Sequence, residues 1–321
     1  MGVRGLRTSC LLLLVAAVLA QQPGPADMPQ EMVWVDRSGR VLGRVGAVQR
    51  SIFFPEFSPD NRFLAVSARD GERNDRDIWI HDVANGTKRQ VTTAKGNDNF
   101  PVWSPDGRRL AFTSSRAGNY DLYVKTLDPD APEKRLLETE SPEFPHHWSP
   151  DGRYLCYTQA GPAGRGIFLL RMETGQPASR DLLDRPDVWA DGGRFSPNGK
   201  YLAYASNPAG PWEVYVAAVD DPAKSWKVSR ELAAGWAGGG GQPRWSAGGK
   251  ELFYIMGNDT LLSVPVETEG VFRHGPPQRL FALPGMRGNF PEEAPWLAKY
   301  EVTSDGQRFV FVRTVARADL M

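Results

Sequence analysis

The sequence predicts an all-β fold: a six-bladed β-propeller with four antiparallel strands per blade, closed by pairing its N-terminal strands with its C-terminal blade. Three observations carry this expectation. A short pattern of aromatic, Ser or Thr, Pro, Asp, Gly recurs, whole or degenerate, with its hydroxyl residue at 58, 104, 149, 196, 246 and 303. That spacing of about 45 to 57 residues is the period of propellers or solenoids. Each copy is followed by alternating apolar residues, as in Arg109-Leu110-Ala111-Phe112-Thr113, the period of a half-buried strand. Finally, the two ends of the chain carry complementary parts of one repeat.

Within a repeat, Pro at the second turn position fixes φ, Asp tolerates the bend and Gly supplies positive φ, so Ser104-Pro105-Asp106-Gly107 and its equivalents join two strands in a tight hairpin. A third strand follows at Asp77–Ile80, Asp121–Val124, Gly166–Leu169, Glu213–Val216 and Leu261–Val264. A fourth is marked by Arg89–Thr92, Lys134–Leu137, Trp226–Ser229 and Gln278–Phe281. The sixth repeat ends near Val312 after two strands. Met32–Asp36 and Val41–Val45 supply the missing pair, which removes free sheet edges.

Residues 1–20 combine Arg4 and Arg7 with the apolar run Leu11–Ala20, which predicts a secretory signal peptide cut after Ala20 and a periplasmic or secreted chain without membrane insertion. Residues 21–30 read as a disordered lead-in, 31–313 as the propeller and 314–321 as a frayed tail. Cleavage leaves Cys156 alone, so no intramolecular disulfide is expected and the thiol reads as a small buried hydrophobe. Formal charge is zero for the whole chain, and nothing points to nucleic acid. A monomer is expected.

The run Trp103-Ser104-Pro105-Asp106-Gly107-Arg108-Arg109-Leu110-Ala111-Phe112, followed by Asp121-Leu122-Tyr123-Val124, resembles the six-bladed TolB-type propeller family, distantly similar to tryptophan-aspartate repeats. The stretches Val33–Gly39 and Gln242–Tyr254 look especially like extracytoplasmic propellers attached to bacterial membrane Ser/Thr kinases, although no kinase signature is present. The resemblance implies an interaction platform that binds a protein or peptide partner in the cell envelope.

Motifs of catalysis are missing: there is no Gly-x-Ser-x-Gly elbow, no His-Glu-x-x-His and no phosphate loop, so neither catalytic residues nor a cofactor are expected. The repeated Asp60, Asp106, Asp151 and Asp305 fit turns better than a metal, and the adjacent His146 and His147 point to opposite faces of a strand. No metal is therefore expected. Phe57, Trp103, Trp148, Phe195 and Trp245 keep strict repeat phase, as packing between blades requires.

Two sets of residues are candidates for binding. Two positions before each marker, on one face of the innermost strand, stand Glu56, Val102, His147, Arg194, Arg244 and Glu301. Converging on the channel, they make either an ion-pair network along a wet axis or a site for an anionic small ligand, since a pair of guanidiniums clamps carboxylate or phosphate. The loops entering the innermost strands carry Phe54, Phe100, Phe144, Trp189, Trp236 and Trp296, all at one end of the propeller, as an aromatic surface for a partner. A non-enzymatic scaffold is the first reading; an enzyme or small-ligand receptor using the Arg-lined channel is the alternative.

Overall fold

The computed structural model describes residues 29–315, apart from 71–73, 129, 162–163, 173–178, 184–187, 209, 231–239, 258–259 and 284–299. The expected signal peptide, residues 21–28 of the lead-in and 316–321 of the tail lie outside the described residues, whereas Pro29 and Gln30 of the expected lead-in and Thr314 of the expected tail belong to paired strands. Six four-stranded blades are present. Blade two is typical: Asp98–Trp103, Arg109–Ser114, Asp121–Thr126 and Lys134–Arg135 pair in that order, each antiparallel to the next. Blade three ends in an outer strand, Ser179–Leu183, that carried no β-branched signal and was not anticipated. In blade five the outer strand Gln278–Ala282 pairs with Thr260–Glu267, whose far end also pairs with Arg273–His274.

The chain ends close the ring as anticipated. Tyr300–Val302 and Arg308–Thr314 form the two inner strands of blade six, and Pro29–Asp36 pairs with the latter in unbroken register, Met32 opposite Val312 and Trp34 opposite Val310. Closure has one unforeseen detail. The outer strand of blade six and the inner strand of blade one are a single 17-residue strand, Val41–Phe57, so these two blades share one seven-stranded sheet. It bends at Ser51 and Phe54, both with left-handed backbone (φ 52° and 53°), where the register shifts.

Among the described residues, apolar side chains of neighbouring blades meet in a cluster at every interface. Between blades two and three, for instance, Ala111 and Leu122 meet Leu155, Tyr157 and Leu170. Full burial of such a side chain contributes roughly 1.5–3 kcal/mol, so each interface supplies a substantial part of the stability. Cys156, fully buried between blades three and four, behaves as anticipated, with desolvation pushing its thiol pKa up.

The hairpins owe their uniformity to one hydrogen-bond set. In blade two the Ser104 amide donates to the Arg109 carbonyl, Gly107 N–H donates to the Ser104 carbonyl, and the Ser104 hydroxyl accepts from Arg109 N–H while donating to Asp106 Oδ1 at 2.5 Å. Asp106 also accepts from Arg108 N–H, and Gly107 holds φ +66°. Asp60, Asp151 and Asp305 repeat this contact, with their pKa values held below the usual carboxylate range, and Asn198 substitutes for the carboxylate in blade four. Blade one has Asn61 where the pattern calls for Gly. Its side chain donates to Ser304 Oγ at 2.7 Å and accepts from the Ser304 amide, tying the turns of blades one and six together at the closure.

Candidate binding site at the channel

The innermost strands bring the residues two before each marker together across the axis. Arg194 donates from Nη1 to both oxygens of Glu56 (2.8 and 2.7 Å), and its Nη2 lies 3.9 Å from Glu301. Arg244 donates from Nε to Glu301 at 2.9 Å and from Nη1 to the Pro243 carbonyl. Glu301 spends its other oxygen on the Val302 amide. His147 accepts the Phe195 amide on Nδ1 at 3.1 Å, and Val102 is the one apolar member of the ring. Four charged side chains thus join in one network, although two of them are 138 residues apart.

These side chains are drier than a wet channel would make them, only 5 to 11% exposed for the two arginines and two glutamates. Desolvation is the largest influence on Glu56 and raises its pKa to about 7 against the pull of Arg194 and Arg244. Burial, reinforced by both arginines, holds the His147 pKa well below its ordinary value, so the imidazole is neutral. With Nδ1 accepting, the proton of that neutral ring sits on Nε2. Indole groups from the neighbouring blades fix the backbone of the ring: Trp103 Nε1 donates to the Glu56 carbonyl (3.0 Å) and Trp245 Nε1 to that of Arg194 (2.9 Å). The repeated aromatics therefore pack between blades, as their phase implied, and also position polar residues.

The ring separates two cavities. On the hairpin side lies a funnel of about 360 Å³, with Glu56, His147, Arg194, Arg244 and Glu301 at its floor, Phe57, Trp103, Trp148, Phe195 and Trp245 in its wall, and Pro59, Pro105, Pro150, Pro197, Ala247 and Ser304 at its mouth. On the opposite side a cavity of about 30 Å³, room for a water or two, is bordered by Phe54, Phe100, Pro145, Gly192 and Gln242 together with Glu56, Arg194 and Arg244. Those five border residues stand four before each marker. Four of them (Phe54, Phe100, Gly192 and Gln242) are in the left-handed region at φ 53° to 68°, at register shifts just before the ring residues. A bulge there re-aims the following side chain toward the axis, and three non-glycine residues accept the strain it brings.

Sequence reasoning missed the funnel on the hairpin side. The column of prolines at the second turn position was the signal available for it, because all six hairpins lie at one end. It also missed a buried group beneath the small cavity. Asp191 accepts from Arg165 Nη1, lies 3.1 Å from His146 Nε2 and takes the Gly192 amide at 2.6 Å, while His146 shares Thr158 Oγ1 at 2.7 Å. Burial raises the Asp191 pKa less than Arg165 and His146 lower it. His146 and His147 border different cavities, as opposite strand faces require. No group of three or more His, Cys, Asp or Glu suited to a metal occurs among the described residues.

Of the aromatic candidates expected on entry loops, Phe54, Phe100 and Phe144 instead lie within the innermost strands and turn inward. Phe54 stacks on Phe100 with ring centroids 3.7 Å apart, Phe100 contacts Phe144 at 5.3 Å, and all three are buried. Trp189 is half-buried with the Arg165 guanidinium over its ring. Trp236 and Trp296 lie outside the described residues.

Comparison with known proteins agrees with this architecture. Residues 33–135 match the model of the TolB beta propeller domain, PD40. A 91-residue segment, 28% of the chain, is 35% identical to the Tol-Pal system protein TolB of Alcanivorax borkumensis, of whose length it spans 20%. Among solved structures, one assigned to TolB from Agrobacterium tumefaciens superposes with a TM-score of 0.67 at 18% identity, covering 90% of this chain and 99% of that one. TolB from Acinetobacter baumannii gives 0.55 at 20% identity over 87% and 71%. Repeat, topology and superposition together make this chain a β-propeller, and its residues 33–135 are similar to the TolB beta propeller domain.

Proposed function

We propose that the chain is an exported, non-enzymatic interaction platform that docks a protein or peptide segment in the funnel on its hairpin face. The observation that carries this reading is the funnel itself. It has the volume of a ligand pocket, an apolar and aromatic wall, and a polar floor fixed by neighbouring blades. The aromatics described at the opposite end are packed against one another, which leaves the hairpin face as the better receiving surface. The apolar run in residues 1–20 supports export to the cell envelope. The narrower likeness to kinase-attached propellers is carried by Val33–Gly39 and Gln242–Tyr254 alone, and the link of the Alcanivorax relative to the Tol-Pal system belongs to a protein of which this segment spans a fifth.

Capture from a native envelope extract tests the reading. Ala247, exposed at the mouth, is replaced by Cys and alkylated with a bulky maleimide; Lys134, exposed on an outer strand, is treated identically. Label at 247 blocks capture and label at 134 does not. Equal capture by both labelled proteins would overturn the proposal.

A further inference from the structure

At the floor of the funnel, hydrogen-bond donors outnumber acceptors. Two guanidiniums bring about ten N–H groups to two carboxylates, each of whose oxygens already accepts one hydrogen bond. Both oxygens of Glu56 face Arg194, while Glu301 holds Arg244 with one and the Val302 amide with the other. Among the described residues, Nε of Arg194 and Nη2 of Arg244 are buried with no hydrogen-bond partner, the latter on a side chain only 5% exposed. His147 adds an Nε2–H on the same floor, its other nitrogen being engaged by the Phe195 amide.

A buried N–H without an acceptor is destabilising, and buried ion pairs of this kind contribute little net stability. Retaining two arginines here is better explained by an acceptor that arrives from the cavity. A cation is disfavoured by the guanidiniums, and a neutral amide offers one oxygen where a carboxylate offers two in the fork geometry that arginine matches.

We propose that the funnel is a carboxylate-binding site, with Arg194, Arg244 and His147 Nε2–H receiving the acid group of a chain terminus or of a small organic acid. This deepens the docking reading by naming the chemistry of the guest, and it rests on the same cavity. Glu56 can take up a proton as the guest enters, which relieves the repulsion between two carboxylates; Arg194, Arg244 and Glu301 are the charged groups around it, and His147 is neutral.

Isothermal titration calorimetry on the purified chain tests it with two pairs of probes: acetyl-triglycine against acetyl-triglycine amide, and succinate against succinamide. At least one acid binds at least about tenfold more tightly than its amide, as expected for a charge-assisted contact. Binding of the peptide acid alone assigns the guest to chain termini, and of succinate alone to free organic acids; either upholds the site. Because Arg194→Gln alone would strand Glu56, the pair Arg194→Gln with Glu56→Gln is used, which keeps a neutral hydrogen bond; it loses the preference for acid while its melting temperature shows it folded. The proposal is overturned if neither acid is preferred over its amide, or if the folded double variant binds the acid as the parent does. If label at Ala247→Cys blocks capture while neither acid binds, docking stands without the carboxylate site. Acid binding without blocked capture leaves the carboxylate site and removes docking.

Discussion

At the scale of single residues, Glu56 makes the sharpest prediction. Its folded-state pKa of about 7 exceeds its ordinary value of 4.5, so the folded protein holds this proton more tightly than the unfolded chain. The resulting stability is complete below about pH 4.5 and lost as pH rises through about 7. Glu56→Gln therefore flattens the fall in melting temperature across that window, a difference on the order of 3 kcal/mol; parallel melting curves for both proteins over this range would contradict it. The turn aspartates have the opposite sign. Asp106 is held low first by the Ser104 hydroxyl, so its contribution is present above the ordinary carboxylate pKa and fades in acid. Asp106→Ala is expected to cost about 1 kcal/mol by urea denaturation at neutral pH, and less in acid. The identity of the ring residues was legible because a strand alternates every two residues and the repeat supplies the phase. Their partners were not: no local rule joins Arg194 to Glu56, and burial of the ring depends on how six blades close. The Asp191, Arg165 and His146 group was equally hidden, since its members occupy unrelated positions of their repeats.

At the scale of elements, the hairpins and innermost strands were readable because Ser-Pro-Asp-Gly encodes its own geometry. The bulges before the ring residues were not, since Phe54, Phe100 and Gln242 hold left-handed backbone without being Gly or Asn. Outer strands were harder still. Ser179–Leu183 pairs on one side only and carries no alternation. The hairpin chemistry makes Gly107→Ala costly by about 1 kcal/mol, because φ is +66° there while a Cβ would find space; an unchanged melting temperature would mean that the turn adapts. Trp103→Phe keeps most of the packing but leaves the buried Glu56 carbonyl without its indole donor. A loss of about 1–2 kcal/mol is expected, together with weaker acid binding in the funnel.

For the whole molecule, deleting residues 31–45 is expected to destabilise far more than deleting 21–30, because the first removal strips two strands from blade six and bares the edge of Arg308–Thr314. Light scattering on heating distinguishes the two truncations, and equal aggregation onsets would refute the role assigned to end pairing. The same seam governs the order of folding. Glu31 meets Arg313 across a sequence separation of 282 residues, whereas the pairs within a blade form between near neighbours. Contacts that close so long a loop form late and slowly, so blades two to five can assemble while Pro29–Asp36, paired on one side with Val41–Phe57, still waits for Arg308–Thr314 on the other. Until Arg308–Thr314 is available, the hairpin that Pro29–Asp36 forms with Val41–Phe57 keeps one edge unpaired. The closing seam thus acts as a clock that withholds the finished ring until its last strand has been made.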